Sequence, residues 1–184
     1  MLPFARQLEY LATIPGVGQA VAEVIIAETG GDMTRFATAA RLAAWAGLAP
    51  GNNESAGKRK KAPARNGNPH LRTAMVEAAW ATWRTATRPG ARFRRLARRF
   101  GKGNEKKAAI AVAHTLLCIA WAVMRYDADY IDAGADYYER RDQRNREHLI
   151  RYHQNALARL GLQVTITQPG DGTPPPPDNP GQAA

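Results

Sequence analysis

Ser55 is a lone hydroxyl in the stretch LAPGNNESAGKRKKAPARNGNPHLR, which runs from Leu48 to Arg72. Gly51 and Gly57 flank it, and Lys58, Arg59, Lys60, Lys61 and Arg65 follow within ten residues. Nucleophilic work by a serine requires an exposed oxygen, a loop that can bend and a target bound close by. The glycines supply the bend. The cations suit a phosphodiester, because they hold its charge and stabilise the negative charge that develops on its oxygens. A serine that attacks phosphorus forms a phosphoserine link to the strand and keeps the bond energy needed to rejoin it, which is the logic of strand exchange rather than of hydrolysis. The plain alternative is a solvated loop serine, the usual fate of this residue type.

A second candidate is LATIPGVG, Leu11 to Gly18. Gly16 and Gly18 allow a sharp turn between two helices and a close backbone approach. The amides opening the second helix then present the positive end of its dipole, which suits a nucleic-acid phosphate. This is the pattern of a helix-hairpin-helix; an ordinary turn inside a bundle reads equally well. Arg72, at the end of the basic stretch, is a third candidate phosphate contact, and the arginine-rich run from Arg84 to Arg99 is a fourth. Within that run Phe93, Leu96 and Phe100 recur at helical spacing and are expected in the core.

Other reactive types form no convincing set. His70, His114, His148 and His153 have no carboxylate partners at ligand spacing, and Asp127, Asp129, Asp132 and Asp136 read as turn and cap residues around Gly134. No metal site is expected. Tyr137 and Tyr138 read as packing residues, and Cys118 as a core thiol.

The elements that must position these residues are helices. The spacing predicts helices over 4–12 and 19–29, the latter stopped by Gly30 and Gly31. Thr38 caps a helix reaching Ala46. Residues 48–67 form a long basic loop. Asn68 and Pro69 then start a helix expected to run to about Thr87, where Pro89-Gly90 breaks it. A short basic helix ends at Gly101, an apolar helix extends from Asn104 to about Tyr126, and another spans 136–160. LQVTIT, from Leu162 to Thr167, has strand character. The fold class is therefore mainly α: a helical bundle with a helix-hairpin-helix-like start, a long basic loop and a short C-terminal strand-like segment. Residues 1–168 read as one domain and 169–184 as a disordered proline-rich tail.

Composition narrows the partner. The 184 residues carry a net charge of +10, and the segment from Lys58 to Lys107 alone holds 16 Lys/Arg against two acids. A positive field segregated in this way points to a polyanion, most often nucleic acid. One cysteine excludes a disulfide framework and suits a reducing cytoplasm. The N-terminus does not read as a secretory signal. The apolar stretch from Ala108 to Met124 is expected to be a buried helix that falls short of a membrane span.

Taken in order, the segments LATIPGVGQAVAEVIIAE, RFATAARLAAWAGLAP, ESAGK, GNPHLR, AAWA, KAAIAVAHTLL, YIDAGADYYERR and LARLGLQVTI resemble the C-terminal domain of the IS-one-ten type insertion-sequence transposases (the IS-one-sixteen and IS-nine-oh-two group), which are bridge-RNA-guided serine recombinases. The resemblance implies that Ser55 is the nucleophile on DNA and that Gly57 belongs to the small-residue turn after it. It places Gly67, Asn68, Leu71 and Arg72 in the segment opening the next helix. It also implies DNA and guide RNA as partners, a homo-oligomer, and a nucleoid-associated place in a bacterial cytoplasm. The family's magnesium ions sit in an N-terminal RuvC-like acidic domain. The sequence reading finds no such domain in this chain, expects no cofactor within it and expects the acidic domain in trans. On that expectation the chain is a split or truncated transposase with little strand transfer alone; the alternative is a non-catalytic nucleic-acid-binding remnant of a decayed element.

Overall fold

The computed structural model describes residues 2–51, 54–59, 66–162 and 164. The chain divides into two compact units, Met1–Arg141 and Asp142–Ala184. The described residues are mainly helical: α1 (Ala5–Ala12), α2 (Gln19–Thr29), α3 (Ala39–Trp45), α4 (Pro69–Thr82), α5 (Arg88–Phe100), α6 (Glu105–Tyr126) and α7 (Tyr137–Ala158). A two-stranded hairpin, β1 (Glu54–Ser55) and β2 (Lys58–Arg59), lies between α3 and α4. Short 3-10 turns cover Leu2–Phe4 and Met33–Arg35.

In the first unit α6 packs against α1, α3, α4 and α5, and α2 packs against α1 and α4. The small side chains of α6 make this possible: Ala108, Ala109, Ala113 and Ala120 are buried beside Val112, Leu116 and Leu117, so neighbouring helices approach closely from several sides. By length and composition α6 could cross a bilayer, where the sequence reading expected a segment too short to do so; 50% of its apolar window is buried in the core.

Several boundaries follow from local chemistry. The Thr38 hydroxyl accepts the Arg41 amide at 3.3 Å, and the Asn68 carbonyl oxygen accepts the Leu71 amide at 2.9 Å. Both satisfy donors that a helix start leaves open. Gly30, at φ 75°, ends α2 in the left-handed conformation.

Two boundaries differ from the sequence reading. α4 stops at Thr82, five residues short of the expected end, and Pro89-Gly90 belong to the first turn of α5 rather than forming a break before it. The cause is a polar knot between the helices. The Thr85 hydroxyl donates to Thr82 O at 2.9 Å, and the Arg94 guanidinium donates to Trp83 O and Thr85 O, both at 2.9 Å. These bonds use up carbonyls at the end of α4. Thr87 caps α5, and Asp132 accepts the Arg88 amide from 44 residues away. Proline suits a first turn, where its missing N–H costs nothing.

The strand-character segment 162–167 lies largely outside the described residues, as does the whole of 169–184.

Candidate nucleophile and nucleic-acid interface

The basic loop leaves the core and returns to it at one place. Leu48 and Ala49 donate their amides to Ala43 O, at 2.9 and 3.2 Å, and the Asn68 amide donates to Trp45 O at 3.1 Å. Both ends are thus tied to the C-terminal turn of α3. At Gly67 a Cβ would lie 2.2 Å from Gly47 N and 2.5 Å from Ala46 C, so only glycine permits this close backbone crossing. Asn68 also donates its amide nitrogen to Glu28 Oε2 at 2.5 Å, which joins the start of α4 to α2.

Ser55 sits on the hairpin that projects from this base. It pairs with Lys58 in the antiparallel register, and Glu54 pairs with Arg59. The two residues between the strands, Ala56 (φ 50°) and Gly57 (φ 72°), both have positive φ, the conformation of the tight turns that match strand twist. Alanine is unusual there, since the left-handed region costs an L-residue roughly 1–2 kcal/mol. Ser55 and Lys58 are both exposed. The sequence reading expected a loop here; the ladder pairing defines a turn that holds Ser55 opposite a cation. Lys60, Lys61 and Arg65 lie outside the described residues, and Arg59 is described by its strand position alone.

Arg72 stands in the first turns of α4, half-buried, on an open cleft of about 450 Å³ shared with Thr73, Val76, Glu77, Trp80, Lys106 and Ile110. The sequence alone names Arg72 and sets Lys102, Lys106 and Lys107 beside the α5 arginines as a basic group, but gives Trp80 no role beyond its place in the AAWA segment. The signal that could have found Trp80 is its place three residues before Trp83, among small residues at the end of α4.

The hairpin glycines have different surroundings. Gly16 (φ 86°) is pressed onto α4: a Cβ would lie 2.5 Å from Ala78 O and 2.7 Å from Thr82 Cγ2. The close approach it permits is to this chain's own backbone. Gly18 is exposed with nothing within 4 Å of a Cβ, and it begins α2 without a side-chain cap.

The arginines of α5 divide into structural and open groups. Arg94 binds the carbonyls of Trp83 and Thr85 just past the end of α4, as described above. Arg88 lies over the Tyr137 ring at 4.4 Å and Arg95 over the Tyr138 ring at 5.7 Å. Arg98 and Lys102 line a second open groove of about 590 Å³ with Trp83 and Arg94.

The remaining candidates have structural duties. Asp132 accepts the amides of Arg88 and Gly134 and the Tyr130 hydroxyl, and Asp136 pairs with Arg140 at 2.9 Å. Burial, with Asp132 adding to it, pushes the Tyr130 hydroxyl up to about 12. Burial also pushes the Cys118 thiol up and, with Arg92, the His114 imidazole down, so this pair on α6 stays uncharged near neutral pH. Among the described residues no three His, Cys, Asp or Glu side chains converge as a metal-holding group.

Residues 8–95 match the family described as Transposase IS116/IS110/IS902. The chain is similar to an uncharacterized 42 kDa protein of insertion element IS900 from Mycobacterium paratuberculosis, 34% identical over 128 residues, which are 68% of this chain and 31% of that protein. It is also similar to an uncharacterized 43.6 kDa protein of insertion element IS110 from Streptomyces coelicolor, 46% identical over 74 residues, 39% of this chain and 18% of that protein. The aligned stretches thus span less than a third of either relative's length. These likenesses support the insertion-element transposase family for the stretch that carries Ser55, Lys58 and Arg72.

Proposed function

We propose that, as part of an insertion-element transposase, this chain binds DNA and presents Ser55 to a phosphodiester. The observation that carries this reading is an exposed serine, paired with a lysine across a two-residue turn, inside the stretch that matches the transposase family. In the reaction Ser55 Oγ forms a bond to phosphorus as the bond from phosphorus to a deoxyribose oxygen breaks. The serine proton leaves to a base, and the departing oxygen takes up a proton. The result is a phosphoserine–DNA intermediate, and attack by a strand-end hydroxyl reverses the step onto a new partner.

Lys58 is placed to offset the charge on the phosphate oxygens, with Arg59, Lys60, Lys61 and Arg65 following in sequence and Arg72 binding phosphate from α4. Gly18, at the uncapped start of α2, offers backbone amides to a further phosphate. The described residues do not fit a magnesium site, since no suitable donor set converges. On the family resemblance, the metal ligands would come from a RuvC-like domain acting with these residues, in an oligomer that also holds a guide RNA.

The test is a labelled duplex carrying the element's own termini, incubated with the chain, a RuvC-like domain and guide RNA. A covalent protein–DNA adduct that maps to Ser55 and disappears in Ser55→Ala is expected. An adduct formed equally by Ser55→Ala removes Ser55 from the chemistry. Salt-sensitive binding with no adduct under any condition favours the non-catalytic remnant.

A further inference from the structure

The Trp80 and Trp83 rings lie stacked, centroids 5.8 Å apart and planes inclined by 15°. Both rest on Phe93 of α5, at 5.1 and 4.6 Å, and Phe93 is fully buried. The pair is therefore held rigidly from beneath. Trp80 nevertheless stays 41% exposed. It borders the cleft whose other walls are Val76 and Ile110 and whose cations are Arg72 and Lys106. Trp83 borders the second groove, whose cations include Arg98 and Lys102. Each groove holds one acid, Glu77 in the first and Glu105 in the second, and Glu105 already accepts the Gly103 amide at 3.1 Å. Among the described residues the side chains of Arg72 and Lys106 have no hydrogen-bonded or ion-paired partner.

An exposed aromatic face beside unpaired cations suits a ligand that is flat and apolar on one part and anionic on another. An unpaired nucleotide has this form. Duplex DNA does not, because its bases are stacked on one another and present no face to a ring. We propose that the Trp80–Trp83 pair is a stacking platform for the unpaired bases of a single strand, with Arg72 and Lys106 holding its phosphates on one side and Arg98 and Lys102 on the other. This rests on the reading that the chain binds nucleic acid, and adds to it a site for displaced or unpaired strand that shares Arg72 with the phosphate contacts proposed above.

The experiment measures fluorescence anisotropy of the full chain with four probes of equal length: single-stranded DNA, single-stranded RNA, an abasic strand that keeps the phosphates, and a blunt duplex. The intact DNA or RNA strand is expected to bind more tightly than the abasic strand, and whichever of the two binds more tightly identifies the natural ligand type. Trp80→Leu, which keeps apolar cover on Phe93, should weaken the intact strand by about 5- to 150-fold and leave the abasic strand and duplex within about twofold. Trp80→Phe should recover most of the loss. Equal affinity for intact and abasic strands overturns the platform, as does an equal effect of Trp80→Leu on both, and in either case binding to duplex leaves the DNA-binding reading standing. A chain that binds none of the four probes overturns both.

Discussion

Replacing Asn68 tests how the site is tied to the core. Its carbonyl oxygen accepts the Leu71 amide at 2.9 Å, and its amide nitrogen donates to Glu28 Oε2 at 2.5 Å. Asn68→Ala removes both bonds. The cap is worth about 1 kcal/mol. The bond to the carboxylate is charge-assisted but only partly buried, so about 1.5 kcal/mol, the low end of its range, applies. The expected loss is about 2.5 kcal/mol, and with a urea slope of about 2 kcal/mol/M the midpoint should fall by about 1 M. Asn68→Asp separates the two contributions. It keeps the cap but sets a carboxylate against Glu28, so it should remain well below the parent chain. Adding Glu28→Gln restores a donor and an acceptor in reversed order, and the double variant should regain more than half of what Asn68→Asp lost. Circular dichroism at fixed pH during urea unfolding measures each step. If Glu28→Gln leaves Asn68→Asp unimproved, the two side chains do not depend on each other, and the view that this bond anchors the end of the basic loop is wrong.

Two further outcomes can be checked on the same instrument. Gly67→Ala drives a methyl to 2.2 Å from Gly47 N, and because backbone rather than a flexible side chain must yield, a loss of about 2–3 kcal/mol is expected; an unchanged midpoint would mean the loop does not close at this crossing. The Tyr130 hydroxyl titrates at about 12 in the folded chain, above the ordinary value of 10, so its contribution is complete below pH 10 and is lost as pH rises towards 12. The parent chain should therefore lose more stability across that window than Tyr130→Phe, and equal losses would contradict the partial burial of this hydroxyl and its bond to Asp132.

Ends of elements set by neighbouring residues were legible in the order of amino acids. Thr38, Asn68-Pro69 and Gly30 mark helix termini because each acts on amides or carbonyls within four residues of itself, and α2 begins and ends where those signals place it. The abundance of small apolar residues likewise sufficed for a helical fold, and the segregated charge is what the proposed anionic partner rests on. The end of α4 was not legible, because the carbonyls of Trp83 and Thr85 just past it are bonded by Arg94, on the next helix, and the Asp132 carboxylate that supports the start of α5 arrives from beyond α6. Composition placed Ser55 among glycines and cations, but only strand pairing set it opposite Lys58. The cleft shared by Arg72, Trp80 and Lys106 was likewise decided by packing, since it exists only where α4 lies against α6, and no local pattern specifies which faces of two helices will meet.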